Sequence, residues 1–92
     1  MSVLVRIPTP LRALTNGQGE LRIEAATIGE MFDQIEKNFV GLKGRLCEDD
    51  GTVRRCINVY VNEEDIRFLQ GMSTGLKPGD EISIVPAMAG GR

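Results

Sequence analysis

Apolar residues alternate at Val3, Val5 and Ile7, with Leu4 and Arg6 between them, until Pro8 and Pro10 interrupt. A period of two puts one set of side chains on a buried face and predicts a strand. Proline ends the strand because it has no N–H to give to a ladder. Leu21, Ile23 and Ala25 repeat the pattern against Glu20, Arg22 and Glu24. A second, half-exposed strand is therefore expected after a loop over residues 8–19, where Asn16-Gly17 and Gly19 mark a turn. The period then changes. Ile28, Met31, Phe32, Ile35 and Phe39 recur at helical spacing, giving one apolar stripe that faces a core. Thr27-Ile28-Gly29-Glu30 ahead of it reads as a capping box, with the Thr27 hydroxyl accepting from the Glu30 amide and the Glu30 carboxylate accepting from the Thr27 amide. Glu30 and Asp33 near the start and Lys37 near the end suit the helix dipole. The main helix is expected from about Thr27 to Asn38, with Gly41 at C′ and a short further helical turn over Leu42 to Leu46.

Glu48-Asp49-Asp50-Gly51-Thr52 is a polar turn. It lacks the spacing and the distal Glu of a calcium loop. Ile57, Val59 and Val61 alternate with Cys56, Asn58 and Tyr60, the clearest strand in the chain. Asn62 to Asp65 is expected to turn it, and Ile66-Arg67-Phe68 to return as a short strand. Residues 71–75 read as loop. Lys77-Pro78-Gly79-Asp80 has Pro and Gly where a type II turn needs them. Glu81 to Pro86 is the last strand, with Ile82 and Ile84 inward and Ser83 and Val85 outward. This order predicts an α+β fold, with one main helix packed across a mixed four- to five-stranded sheet. Residues 1–86 form the expected domain and residues 87–92 a flexible tail. The second face of the sheet would show Leu4, Tyr60 and Val85, with Phe68. Several apolar residues on one face, beside the strand that launches the tail, point to a docking surface.

Composition narrows the chemistry. The chain has 92 residues, a net charge of −2 and no histidine. One modest core leaves little room for a deep substrate pocket. The commonest general base at neutral pH is missing. A carrier or adaptor is expected rather than an enzyme. No basic stripe with interleaved aromatics is present, so nucleic acid is not an expected partner. The apolar runs are too short to span a bilayer. The start, Met1-Ser2-Val3-Leu4-Val5-Arg6, lacks the layout of a signal peptide, so the expected location is cytoplasmic. Cys47 and Cys56 are not a CxxC pair and cannot complete a zinc site without histidine. Neither a metal nor a cofactor is expected. Their spacing leaves a disulfide open, whereas a cytosolic setting argues for free thiols.

The chain ends Ala87-Met88-Ala89-Gly90-Gly91-Arg92. Glycine has no Cβ, so a Gly-Gly backbone enters a passage that excludes larger residues. A terminal Gly carboxylate is also open to attack from either face. Ile7-Pro8-Thr9 with Leu11-Arg12, Ile57 to Asn62, Glu64-Asp65-Ile66-Arg67-Phe68, and Gly79-Asp80-Glu81-Ile82 leading through Pro86 to Gly90-Gly91 together resemble the MoaD/ThiS family of ubiquitin-like β-grasp sulfur carriers. The resemblance covers nearly the whole chain. The Ile-Pro-Thr and Glu-Asp-Ile-Arg-Phe stretches are most similar to the cysteine-synthesis (CysO-type) carriers. The resemblance implies that an ATP-dependent adenylating enzyme activates the Gly91 carboxylate and that sulfur replaces AMP to leave a thiocarboxylate. That sulfur is then given to an acceptor on a synthase of the cysteine synthase type. Tyr60, Phe68, Val85, Pro86, Ala87, Met88, Ala89 and Gly90 would contact partners. Five extended residues, Ala87 to Gly91, reach roughly 16 Å. The family's active form ends on the second Gly, so Arg92 implies a precursor trimmed by a JAMM-type metallopeptidase, or else a cloning residue. Other roles open within the resemblance are a molybdopterin synthase small subunit or a donor for thiamine or tRNA thiolation. A ubiquitin-like protein modifier and an inert interaction module are the readings from other classes.

Overall fold

The computed structural model describes residues 2–86. Five strands form one sheet: β1 (Ser2–Arg6), β2 (Glu20–Glu24), β3 (Ile57–Val61), β4 (Glu64–Asp65) and β5 (Glu81–Pro86). Their order across the sheet is β2-β1-β5-β3-β4. The central β1–β5 pair is parallel and the other pairs are antiparallel. The helix α1 (Ile28–Asn38) lies against one face, followed by the short α2 (Leu42–Leu46). This is a ubiquitin-like β-grasp, with the mixed sheet and single main helix that the sequence pattern predicts.

Pairing register explains which side chains the helix covers. Val3 lies opposite Ile23, Val5 opposite both Leu21 and Ile82, and Val59 opposite Ile84. Side chains directly opposite share a face of the sheet. These residues join Ile28, Met31, Phe32 and Ile35 of α1, and Leu42 and Leu46 of α2, in one buried cluster. Phe32 and Ile35 are fully buried. The helical stripe read from the sequence is thus the core-facing stripe, with Phe39 only partly buried at its end.

Several local details differ from the sequence expectation. The Thr27 hydroxyl does accept from the Glu30 amide, at 3.1 Å. The Glu30 carboxylate, however, reaches the Ala26 amide at 2.7 Å instead of Thr27. The helix closes on Phe39, so Gly41 is not its C′ residue. Gly41, at φ +100°, is the N-cap of α2, and its amide is held by the Glu36 carboxylate. The long loop contains a 3-10 helix, Thr9–Thr15, in which the buried Thr15 hydroxyl sits between the carbonyls of Arg12 and Gln18.

Ile66–Phe68 is not a strand. The turn closes earlier, on Asn62 and Glu63, both at positive φ, so the returning strand is the two-residue β4. The Asp65 carboxylate then caps a 3-10 turn by accepting from the Arg67 amide at 2.8 Å. Residues 71–75 include a second 3-10 turn, Gly71–Ser73, packed beside the start of α1. The expected type II turn is present: Gly79 has φ +88° and the Asp80 amide donates to Lys77 O at 3.0 Å.

Candidate functional site

The face of the sheet opposite the helix is built by the other half of each alternation. Leu4 lies opposite Arg22 and Glu81, Arg6 opposite Ser83, Tyr60 opposite Ser83 and Asp65, and Val85 opposite Asn58. No helix covers it. Val85 is 41% exposed, whereas Tyr60 and Leu4 are half-buried among their neighbours. The result is a shallow apolar strip along β1, β5 and β3, as strand phase predicts. Phe68 is 85% exposed, but the 3-10 turn after β4 carries it, so it stands outside the strand register of this face. Its expected place beside Tyr60 on a strand is corrected to that extent.

Two arginines fix the flanks of the strip. Arg6 donates to Glu20 at 2.7 Å and to Glu81 at 3.1 Å. Bonding to Glu81 first, then the charges of both carboxylates, raises the Arg6 pKa further above its ordinary value. On the other flank Arg67 donates through Nε and Nη2 to Asp65 and through Nη2 to Asn58 Oδ1, at 2.7–3.2 Å. Asp65 is only 8% exposed, and these bonds hold its carboxyl below the usual carboxylate range. Composition alone did not expose this network. The signal was the Asp-x-Arg spacing at 65–67, where a carboxylate can serve both as turn cap and as ion-pair partner.

Pro86, opposite Ile57, is the last described residue of β5, which lies between β1 and β3 in the middle of the sheet. Pro86 is half-buried. Ala87, Met88, Ala89, Gly90, Gly91 and Arg92, expected as the reacting tail, lie outside the described residues.

Cys47 is buried and Cys56 exposed, and both are free thiols. Burial, partly countered by Lys43 and Arg54, pushes the Cys47 thiol pKa up. Among the described residues no group of three or more His, Cys, Asp or Glu is placed to hold a metal ion, and no helix is long and apolar enough to cross a membrane.

Comparison with known proteins extends beyond the fold. The model of the ThiS family matches residues 5–91. Sulfur carrier protein CysO of Mycobacterium tuberculosis is 41% identical over 93 aligned residues, covering 99% of this chain and 100% of the relative. A chain in the crystal structure of the Amycolatopsis orientalis BexX/CysO complex superposes with a TM-score of 0.90 at 43% identity, covering 96% of this chain and 98% of its own. Small archaeal modifier protein 3 of Haloferax volcanii is 42% identical over 66 residues, which is 72% of this chain and 71% of the relative.

Proposed function

The chain belongs to the ThiS family, and on that premise we propose that it is a sulfur carrier whose Gly91 carboxylate becomes a thiocarboxylate. The observation that carries the reading is geometric. The strand leading to the diglycine runs down the centre of the sheet, beside a face that no helix covers among the described residues. A partner that grips Leu4, Tyr60 and Val85 therefore has the reacting end within reach. The full-length likeness to a sulfur carrier supports the same role.

In the first step a Gly91 carboxylate oxygen attacks the α-phosphate of ATP on an adenylating enzyme, and pyrophosphate leaves. Sulfide then attacks the acyl carbon. A C–S bond forms, the C–O bond to AMP breaks, and a thiocarboxylate remains. In the second step this sulfur displaces a leaving group from an acceptor carbon on a synthase of the cysteine-forming type, and water hydrolyses the resulting thioester to return the Gly91 carboxylate. The chain supplies no acid, base or cofactor to either step. Its share is position: a rigid body, a docking face, and a tail thin enough to enter the partner. While Arg92 follows Gly91, the Gly91 carbonyl belongs to a peptide bond. Hydrolysis by a JAMM-type metallopeptidase would free it.

The test is the intact mass of chain ending at Gly91 after incubation with ATP, sulfide and the cognate adenylating enzyme. Replacement of one oxygen by sulfur supports the reading. A second reading, a protein modifier, is favoured by the likeness to a small archaeal modifier. It would show as Gly91 isopeptide conjugates on lysines in place of an accumulating thiocarboxylate.

A further inference from the structure

Because β4 has only two residues, the first half of β3 has no strand beside it on that side among the described residues. A cleft of about 330 Å³ opens there. Ile57, Ile66 and Val53 line its apolar floor, with Met72 at one wall. Arg54, Arg55 and Arg67 line it as well, against the single carboxylate of Asp65. This is a local excess of positive charge on a chain whose net charge is −2.

The arginines are not equally available. Arg54 is committed to Gly44 O and Glu48. Arg55 is exposed, and its side chain has no partner among the described residues. Arg67 has five N–H donors. Nε and both hydrogens of Nη2 are engaged by Asp65 and Asn58, which leaves Nη1 without a partner among the described residues. Its guanidinium is thus held in one orientation with open donors, so little rotamer freedom remains to be lost on binding.

The cleft lies on the helix side of β3 and meets the border of the docking face at Arg67, which bonds Asn58, opposite Val85. We infer that this cleft receives an acidic, apolar-tipped segment of the adenylating partner: an apolar side chain on the Ile57–Ile66 floor and a neighbouring carboxylate between Arg55 and Arg67. The inference rests on the sulfur-carrier reading for the identity of the partner. Charge complementarity favours such a segment, because the cleft sets arginine donors without partners among the described residues beside an apolar floor whose single carboxylate is already bonded.

The experiment measures association rate and Kd between the full chain and its cognate adenylating enzyme, across a range of salt. Arg55→Glu and Arg67→Gln are compared with Lys37→Glu, which reverses a charge on the exposed end of α1. Rim charges act mainly on the association rate and its salt dependence, so Arg55→Glu is expected to weaken binding about threefold to tenfold, chiefly through a slower association with a flatter salt slope. Arg67→Gln is expected to do the same with an added rise in dissociation rate, while Lys37→Glu changes little. Thermal melts of each variant separate lost binding from lost folding. If wild-type chain binds but both arginine variants match Lys37→Glu, the inference is overturned and the carrier reading stands. If affinity falls with an unchanged salt slope, the acceptor is neutral and the carboxylate is wrong. Cleft amide signals that change when the free chain is cut at Pro86, or with protein concentration, would mean that its own tail or a second copy fills the cleft, and would also overturn the inference. No binding by wild-type chain would remove the carrier reading itself.

Discussion

The two faces of the sheet come from the same alternating strands and are used in opposite ways. On the helix side the inward residues of β1 and β3, with Ile82 and Ile84 of β5, are buried, and the side chains of α1 and α2 fill the space above them. On the other side the apolar strip of Leu4, Tyr60 and Val85 is thin, and ion-paired arginines hold its borders. One face contributes stability through buried area. The other has little area to lose, and ion pairs and hydrogen bonds hold the arginines at its borders.

Substitutions should separate the faces sharply. Phe32→Ala on the covered side removes a fully buried ring and should cost about 3–5 kcal/mol. That is a large part of the roughly 5–15 kcal/mol typical of a domain. Urea unfolding would measure it, and a loss near zero would mean that the core does not close over this residue. Tyr60→Asp and Val85→Asp on the open side should leave the urea midpoint nearly unchanged. They should weaken binding of the adenylating enzyme by about 2 kcal/mol or more, as expected for apolar anchors at an interface. If either one unfolds the domain, the open face is also structural and the contrast fails.

A smaller effect sharpens the comparison at its border. Asp65 has its folded pKa held below the unfolded value, first by its bonds to the Arg67 side chain. The unfolded state therefore takes up more protons at low pH. The stabilisation is fully present above the unfolded pKa, roughly 3.9, and is lost as pH falls through the lower folded value. Arg67→Gln should raise the Asp65 titration point, followed by carboxyl NMR, and flatten the acid limb of the Tm profile. An unchanged titration point would place the cause elsewhere. The two thiols should give the smallest signal. Cys56 is exposed, while Cys47 is buried and its thiol pKa raised. A thiol reagent at neutral pH should label Cys56 quickly and Cys47 only as the domain opens. Equal rates would contradict the burial of Cys47.

What could be read from the sequence follows the same division. Long alternations and the helical stripe are repeated signals, and β1, β2, β3, β5 and α1 appear where those signals stand. Short elements depend on single contacts. The turn at Asn62-Glu63 puts two non-glycine residues at positive φ, which no pattern of apolar residues announces. It moved the return strand two residues earlier, so Ile66-Arg67-Phe68 became a capped 3-10 turn and carried Phe68 off the strand register. The facing of Tyr60 and Val85 was legible because one residue of strand phase decides it. The cleft was not legible, because its walls come from residues 52–59 and 65–72, which only tertiary pairing brings together.

The central claim is that the Gly91 carboxylate is the reacting group, and chain length tests it most directly. Two proteins, one ending at Gly91 and one at Arg92, are each incubated with ATP, sulfide and the cognate adenylating enzyme, and their intact masses are compared. An added residue moves the terminal carboxylate by roughly 3.3 Å in an extended chain, and a misplacement of even about 1 Å can cost on the order of 10²-fold in rate. The account predicts sulfur in place of oxygen on the chain ending at Gly91 and none on the chain ending at Arg92. Equal thiolation of both lengths, or thiolation of neither by an enzyme that is active on its own carrier, would contradict it.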